Sequence, residues 1–449
     1  MGARRTLFRD ASVVRDGGVH RGHVLIQGDS ILDVEASRDA ACDDVVDCDG
    51  RHLMAGVIDD QVHFREPGLT HKEDLATASR ACAAGGVTSF LEMPNTRPPA
   101  ITVAGVHDKQ RLAASKSLVN YGFYIGATPD NIDALVAADD DPTIPGIKIF
   151  IGSSTGNLLV DSQDALERIF AETTNRITAH CEDESTVIAN ARRCGIGGSP
   201  VDVALHSQVR DHAAARIATA RAIDLATRHE HPFHVLHVST ADEVPLIAAA
   251  PQWVTAEVCL HHLFFNVDDY PRLGTRIQMN PSIKTANDNA VLWGALRDGT
   301  ITVIATDHAP HTLDEKAADY PLSPSGLPAV ENALALMLDA VHDGRCSLAD
   351  VTRWMSAEPA RVWQIDRRGR IAADAAADLV IVDMEQSRTI RDQDQHTKCR
   401  WSPWSGETLR GWPVATYVGG RRVWSSESGF AEVDATQDRQ LTFRATRDD

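Results

Sequence analysis

Short apolar runs rich in β-branched residues alternate with longer amphipathic segments through the middle of the chain. The segments between the runs, such as 72–84, 162–174 and 210–229, carry apolar residues at the spacing of helices that cover a sheet. The eight runs cover 57–64, 87–94, 119–127, 146–151, 177–182, 233–240, 254–262 and 302–310. Eight alternating units predict an α/β fold with a closed (β/α)8 TIM barrel, and a doubly wound open sheet is the competing architecture.

The two ends of the chain have a different pattern. Residues 5–50 and 370–425 are short alternating strands, and glycine-containing turn pairs stand at Gly17-Gly18, Gly28-Asp29 and Gly419-Gly420. We therefore expect both termini to pair into one small β-sandwich. The predicted domains are 1–52 and 370–449 for the sandwich and 53–369 for the barrel. The polar tail after about residue 430 is expected to be loosely ordered.

Composition and charge exclude several classes of function. The 449 residues include 44 Lys plus Arg against 63 Asp plus Glu, a formal net charge of -19, which disfavours nucleic-acid binding. No stretch approaches the roughly 20 apolar residues needed to span a bilayer, so no membrane segment is predicted. The eight cysteines form no CxxC pair, which is typical of reduced thiols and predicts a cytoplasmic protein without disulfides.

Five predicted strands carry polar or ionisable residues at their carboxyl ends, where the active site of a βα barrel lies. Period-two alternation places Asp59, Gln61, His63 and Arg65 on one face of strand one. The other four positions are Lys148 on strand four, His180 on strand five, His237 on strand six and Asp307 on strand eight. Imidazoles and carboxylates suit zinc, and two neighbouring ions can stabilise a hydrolytic transition state.

Lys148 is the most unusual of these residues, because a buried ammonium group is costly unless it is paired or chemically changed. Carbamylation by carbon dioxide would turn it into a carboxylate able to bridge two metals. Each residue also has a structural interpretation: a strand-end histidine is commonly a hydrogen-bonded core residue, Asp307 could cap a turn, and Lys148 could extend to solvent. The joint pattern favours a metal site, since packing alone rarely places all five at one end.

Five sequence runs lie at or near the predicted strand ends: GVIDDQVHFREPG at 56–68, EMPNT at 92–96, HVST at 237–240, MNP at 279–281 and ATDHAPH at 305–311. Together these runs resemble the dihydroorotases, a branch of the amidohydrolase superfamily. The resemblance extends over nearly the whole chain, including runs at 377–383 and 402–406 that look like that family's sandwich strands.

The resemblance implies a binuclear zinc site bridged by carboxylated Lys148. It places His63 and Asp307 on one ion, and His180 and His237 on the other. The family usually has His-x-His on strand one, and here the first histidine is Gln61. A neutral amide oxygen is a weaker zinc ligand than imidazole, so both a loosely held second ion and a site with one tightly bound ion are open.

Substrate recognition depends on residues beyond the metals. By resemblance, Arg65, Asn95 and His311 hold the carboxylate of dihydroorotate, and Asn280 contacts its ring. Asp307 would pass a proton from the attacking water to the departing ring nitrogen. Reversal closes N-carbamoyl-L-aspartate to dihydroorotate, the direction of pyrimidine biosynthesis. The segment 312–325 is predicted to cover the bound substrate.

Three other functions compete with this one. A GxSxG pattern at 152–156 would make Ser154 the nucleophile of a serine hydrolase, although a helix should follow it directly. Hydrolysis of the neutral rings of hydantoin or allantoin has no need of Arg65. A non-catalytic scaffold for aspartate transcarbamoylase is supported only by Gln61. A homodimer is expected for a barrel of this type.

Overall fold

The computed structural model describes residues 3–152, 158–434 and 436–443. Its strands are β1 (Arg5–Arg15), β2 (Gly18–Gln27), β3 (Ser30–Asp33), β4 (Asp44–Asp47), β5 (His52–Ala55), β6 (Val57–Val62), β7 (Val87–Glu92), β8 (Asn120–Phe123), β9 (Ile125–Gly126), β10 (Ile147–Ile151), β11 (Ile177–Cys181), β12 (Phe233–Val235), β13 (Val254–Cys259), β14 (Val303–Ala305), β15 (Leu379–Thr389), β16 (Thr408–Val418), β17 (Arg421–Ser425) and β18 (Gly429–Phe430).

The central strands form the predicted barrel. Strands β6, β7 and β8 make one parallel sheet, and β9 to β14 make a second. A parallel bridge from Val62 to His308 joins the first strand to the end of the last and closes the ring. The run predicted at 119–127 is divided into β8 and β9 at Tyr124, and each half pairs with a different neighbour. The (β/α)8 architecture predicted from the alternating pattern is confirmed.

Helices follow the barrel strands and cover them. Most begin at a residue whose side chain caps the first turn: Asp74 accepts a hydrogen bond from Thr77 N–H, and Asp211 accepts one from Ala214 N–H. None of the helices in the described ranges combines the length and apolar character that a bilayer crossing requires. The helices are α1 (Leu75–Ala84), α2 (Val103–Ala114), α3 (Ile132–Ala138), α4 (Gln163–Glu172), α5 (Glu184–Arg193), α6 (His206–Val209), α7 (His212–Arg228), α8 (Val244–Ala248), α9 (Leu260–Phe264), α10 (Tyr270–Leu273), α11 (Ala286–Asp298), α12 (Leu313–Lys316), α13 (Ala333–His342), α14 (Leu348–Thr352) and α15 (Glu358–Val362).

The terminal strands form the second domain, as predicted. One sheet runs in the order β18-β17-β16-β15-β5-β1-β2-β3, and its centre is the antiparallel pair of β5 and β15, which joins the two ends of the chain. Its core includes Phe8, Val24 and Leu379. The first hairpin turn lies at Asp16-Gly17 rather than at Gly17-Gly18. Asp16 and Gly17 both have positive φ, and Gly18 already pairs with Arg15 in the sheet.

The chain returns to the barrel after the sandwich, contrary to the expected loose tail. Tyr121 N–H donates to Arg439 O at 3.0 Å, and Leu441 N–H donates to Tyr121 O at 2.9 Å. Leu441 is fully buried, and Phe443 is nearly so. These contacts fall at the amino-terminal ends of the barrel strands, so this segment closes the base of the barrel. The segment was expected to be loosely ordered because its composition is polar, and only two large apolar side chains, Leu441 and Phe443, anchor it.

Candidate active site

The ends of β6 and β14 bring His63 and Asp307 together. His63 Nε2 lies 3.0 Å from Asp307 Oδ1, although the angle there is unsuited to a hydrogen bond. On its other side, His63 Nδ1 lies 2.7 Å from Asn95 Oδ1. An amide oxygen only accepts, so Nδ1 carries the proton and Nε2 presents its lone pair beside the carboxylate. A cation would bind between these two acceptor atoms, His63 Nε2 and Asp307 Oδ1.

A second pair of acceptors is formed by His180 and His237 on neighbouring strands. His180 Nδ1 lies 3.1 Å from His237 Nε2, and both side chains are buried. Burial lowers the pKa of both histidines, which keeps the imidazoles neutral, the form that binds a metal. Glu182 Oε2 lies 3.0 Å from His180 Nε2 at a poor hydrogen-bond angle, so the carboxylate favours a proton on that nitrogen through its charge.

Lys148 lies in the middle of β10, where it pairs with Thr178 of β11, while Phe150 pairs with His180. The ammonium group is within 4.6 Å of the centre of the Phe150 ring. Burial lowers the pKa of Lys148 to about 8, partly offset by Asp307. A substantial fraction of the amine is therefore neutral at physiological pH, and the neutral amine is the form that attacks carbon dioxide.

Gln61 occupies the position of the missing histidine. Its side chain is buried, and Oε1 has no hydrogen-bond partner among the described residues. An unpaired buried amide oxygen costs about 1–3 kcal/mol unless a bound group uses it. The backbone nearby is strained as well: Arg65, His237 and Asp307 all have positive φ, at 66°, 36° and 45°. Such strain is concentrated at functional sites.

A cavity of about 470 Å³ opens beside these groups, and it is lined by Arg65, Asn95 and His311. Arg65 Nε donates to Pro310 O at 3.1 Å, which fixes the guanidinium at the mouth of the barrel. The structure therefore brings three of the four predicted substrate-binding residues to one cavity. The fourth, Asn280, does not line it and instead accepts a hydrogen bond from His206 Nε2 at 3.1 Å.

Alternation along β6 is broken by a bulge between Asp59 and Val62, opposite Phe90 and Glu92 of β7. Asp59 bonds to Thr306 Oγ1 at 2.6 Å, near the site. Simple alternation predicts that the side chain of Asp60 points away from Asp59 and from the predicted site. In the structure, the side chain of Asp60 is buried in the barrel interior.

A buried cluster of Asp60, His234 and Glu257 was missed by sequence reasoning. Their ligand atoms all lie within 4.8 Å of one another, so they are a candidate metal group. His234 Nε2 is 3.1 Å from Glu257 Oε2, and Trp363 Nε1 donates to Asp60 Oδ2 at 2.6 Å. Glu257 Oε1 also accepts the backbone N–H of His237 at 3.2 Å. A charged residue inside an apolar strand, the signal that singled out Lys148, would have found all three.

The nucleophile of the alternative serine hydrolase cannot be placed, because Ser154 lies outside the described residues. All eight cysteines are described, and all are free thiols, in agreement with the predicted lack of disulfides.

A family model supplies the deciding comparison, because the amidohydrolase family matches residues 52–423, far more than half of the chain. The chain belongs to the amidohydrolase family. A dihydroorotase of Halobacterium salinarum is 38% identical over 425 residues, covering 94% of this chain and 97% of that protein. An allantoinase of Streptomyces avermitilis is 33% identical over 431 residues, covering 93% and 95%.

Solved structures agree with this assignment. The L-hydantoinase (dihydropyrimidinase) from Arthrobacter aurescens superposes with a TM-score of 0.91 at 26% identity, covering 96% of this chain and 98% of that one. The chain is thus a cyclic amide hydrolase of the amidohydrolase family. Metal dependence is typical of this family. The donor set fits a metal site, since each of the two pairs offers neighbouring acceptors and Gln61 Oε1 is unpaired.

Proposed function

We propose that the protein is a dihydroorotase, which reversibly hydrolyses the cyclic amide of L-dihydroorotate to N-carbamoyl-L-aspartate in pyrimidine biosynthesis. The observation that carries this proposal is the cavity lined by the cationic Arg65, Asn95 and His311, which adjoins His63 through the contact of Asn95 Oδ1 with His63 Nδ1 at 2.7 Å. In a protein with a formal net charge of -19, a cationic pocket next to a hydrolytic site favours an acid substrate.

In this proposal zinc would be held by the two pairs already described, His63 with Asp307 and His180 with His237. Lys148, as N6-carboxylysine, would add a carboxylate to the same site: the neutral amine adds to carbon dioxide, one C=O π bond gives way to the new C–N bond, and one proton is released to solvent. Gln61 Oε1 is the remaining donor for the ion at the first pair. Because an amide oxygen binds zinc less tightly than imidazole, we propose one firmly held ion and a second that is more readily lost.

The ions would supply the Lewis acidity that activates a water and polarises the ring carbonyl. The chain's own residues then orient the substrate and move its proton. Asp307, whose Oδ1 has no hydrogen bond within the described residues, accepts the proton of the attacking water and delivers it to the departing ring nitrogen. Arg65, Asn95 and His311 hold the substrate carboxylate, and Asn280 contacts the ring.

Hydrolysis of neutral rings is the second candidate. The Streptomyces relative carries the name allantoinase, and the superposed Arthrobacter structure is that of a hydantoinase. A third candidate, a non-catalytic scaffold for aspartate transcarbamoylase, depends on the loss of the histidine at position 61. The proposed cellular form is a homodimer in the cytoplasm, and the free cysteines support the proposed compartment.

The test is ring opening of L-dihydroorotate by the purified protein, before and after chelation and after zinc is restored. Allantoin, hydantoin and dihydrouracil serve as neutral comparators, and Gln61→His is measured in parallel. Chelator-sensitive turnover that prefers dihydroorotate is the expected result. Preference for a neutral ring would replace the proposed substrate, and activity only in the Gln61→His variant would favour the scaffold.

A further inference from the structure

Lys72 lies on the same cavity and has no role in the reaction described above. Its side chain is largely buried, and Nζ lies 2.9 Å from His311 Nδ1 and 2.9 Å from Glu315 Oε1. Glu315 is itself held in place, because its Oε2 accepts the N–H of Thr312 at 2.9 Å as part of the capping box of α12. The ammonium group is therefore fixed between an imidazole and a carboxylate.

The loop that carries Lys72 is pressed against the neighbouring strand end. Gly68 has φ +89°, and a Cβ there would lie 2.1 Å from Arg97 O, so only glycine permits this approach. Arg97 N–H in turn donates to Pro67 O at 3.1 Å. Arg65, Lys72 and Arg97 thus line one cavity. Burial lowers the pKa of Lys72, the carboxylate of Glu315 opposes that shift, and the two arginines add to it.

The contact with Lys72 decides which nitrogen of His311 carries the proton. A lysine ammonium only donates, so Nδ1 accepts and the proton of neutral His311 is on Nε2. Nε2 lies 3.0 Å from Ser325 O, which accepts that proton, and 3.4 Å from Arg65 Nη2. The Nε2–H bonds to Ser325 O in the structure, so a carboxylate oxygen at the cavity would share it in a three-centre hydrogen bond, while the neighbouring Arg65 donates to the second oxygen.

We infer that Lys72 is a specificity-determining residue that positions His311: it fixes the tautomer whose Nε2–H, bonded to Ser325 O in the structure, is shared with the carboxylate of an acidic substrate beside Arg65. This inference rests on the proposed function and adds to it the device that distinguishes an acidic ring from a neutral one. Lys72 acts through His311 and adds positive charge to the pocket, so its effect belongs to substrates that carry the carboxylate.

The test compares Lys72→Met and Lys72→Arg on L-dihydroorotate and on dihydrouracil, the same ring without the carboxylate. Lys72→Met is expected to raise KM for dihydroorotate about 10- to 30-fold while kcat changes less than about 3-fold, because a charge-assisted contact is lost in binding. Turnover of dihydrouracil should change less than about 3-fold, and Lys72→Arg should restore most of the loss. Should dihydrouracil be turned over too slowly, its inhibition constant replaces kcat/KM.

Two controls separate this role from a structural one. Lys398→Met removes an exposed ammonium group that pairs with Asp74 at 2.7 Å, and it should leave both substrates unaffected. In an His311→Asn background, Lys72→Met should lose most of its effect, since the two act as a unit. If the methionine variant does not fold, Lys72→Gln, which also removes the charge, takes its place.

Equal losses on both substrates, no loss on either, or independent effects of Lys72 and His311 would each overturn the inference. Failure of the unmodified protein to open dihydroorotate is a different result. That outcome would contradict the proposed function itself, before any Lys72 variant is measured.

Discussion

The two ends of the barrel are closed in different ways. At the carboxyl end, residues 312–325 are held mainly by polar contacts: Lys316 Nζ donates to Pro324 O at 2.8 Å and to Gln278 O at 3.2 Å. At the amino end, Leu441 and Phe443 insert apolar side chains into a cluster that includes Trp363. One closure depends on hydrogen bonds, and the other on the burial of apolar side chains.

Both ends also bury ionisable groups, which shows that buried charge alone does not identify an active site. Deep in the barrel, Asp60 has a donor in Trp363 and Glu257 has His234, so the polar groups largely satisfy one another. At the mouth, His63 Nε2 faces Asp307 Oδ1, neither Asp307 Oδ1 nor Gln61 Oε1 has a hydrogen-bond partner among the described residues, and the cavity lined by Asn95 adjoins His63. Convergence of unpaired acceptors next to a cavity is the feature that separates function from structure here.

Asp307→Asn, at the mouth of the barrel, should have the largest effect of the four substitutions, and this effect is a loss of activity. An amide cannot take the proton from the attacking water, so kcat should fall about 1,000-fold or more. Asp307 Oδ1 makes no hydrogen bond within the described residues, so the free energy of unfolding should change little. Steady-state kinetics and urea unfolding test both statements, with Asp383→Asn on the sandwich as the matched control. Retention of more than a tenth of the activity would remove Asp307 from the proposed role.

Leu441→Ala should destabilise the base of the barrel without changing the rate of the reaction. Removing a fully buried leucine from a packed cluster costs about 3 kcal/mol in the free energy of unfolding. Urea unfolding measures that loss, and kcat at a temperature where the variant is folded should match the wild type. Leu322→Ala, at a leucine that is 68% exposed in the segment over the mouth, is the control and should change stability by less than about 0.5 kcal/mol. A stable Leu441→Ala variant would show that the returning segment does not close the base.

The fold was largely predictable because the eight barrel strands repeat one local pattern, and local patterns are what a sequence displays. The candidate site was predictable as far as strand ends define it: His63 lies beside Asp307, and His180 lies beside His237, because parallel strands end at the same side. Asp60 was missed because a bulge in β6 interrupts alternation, whereas His234 and Glu257 carried a local signal, a charged residue inside an apolar strand. The closing role of Leu441 and the contact of Lys72 with His311 depend on pairings distant in sequence, which no local pattern reports.

Gln61→His should strengthen zinc binding at the mouth of the barrel, because it completes the proposed ligand set there. Imidazole binds zinc more tightly than a neutral amide oxygen, so the affinity of the weaker ion should rise about 10- to 100-fold. Competition with a chromophoric chelator measures zinc affinity without relying on turnover. The matched change His107→Gln, at a surface histidine whose Nε2 lies 2.6 Å from Asp141 Oδ2, should leave the zinc affinity of the mouth unaltered. Equal zinc affinity in wild type and Gln61→His would mean that position 61 does not face the metal.

Lys316→Met should have the smallest effect of the four substitutions. The pH dependence of its stability tests whether residues 312–325 are held over the mouth of the barrel by polar contacts. Burial holds the pKa of Lys316 well below its usual 10.5, so over a range below that value the unfolded chain carries a proton that the folded protein lacks. Stability from this group is therefore present at high pH and is lost as pH falls, at about 1.4 kcal/mol per pH unit.

The variant loses the two donated hydrogen bonds at every pH, which shifts its stability by a constant and leaves the slope as the informative quantity. Urea unfolding at a series of alkaline pH values should give a steeper line for wild type than for Lys316→Met. Parallel lines would mean that Lys316 is buried with its charge, balanced by Glu315, the anion whose charge acts on it. In that case the mouth would be closed by an ion pair, and its contrast with the apolar base would be stronger still.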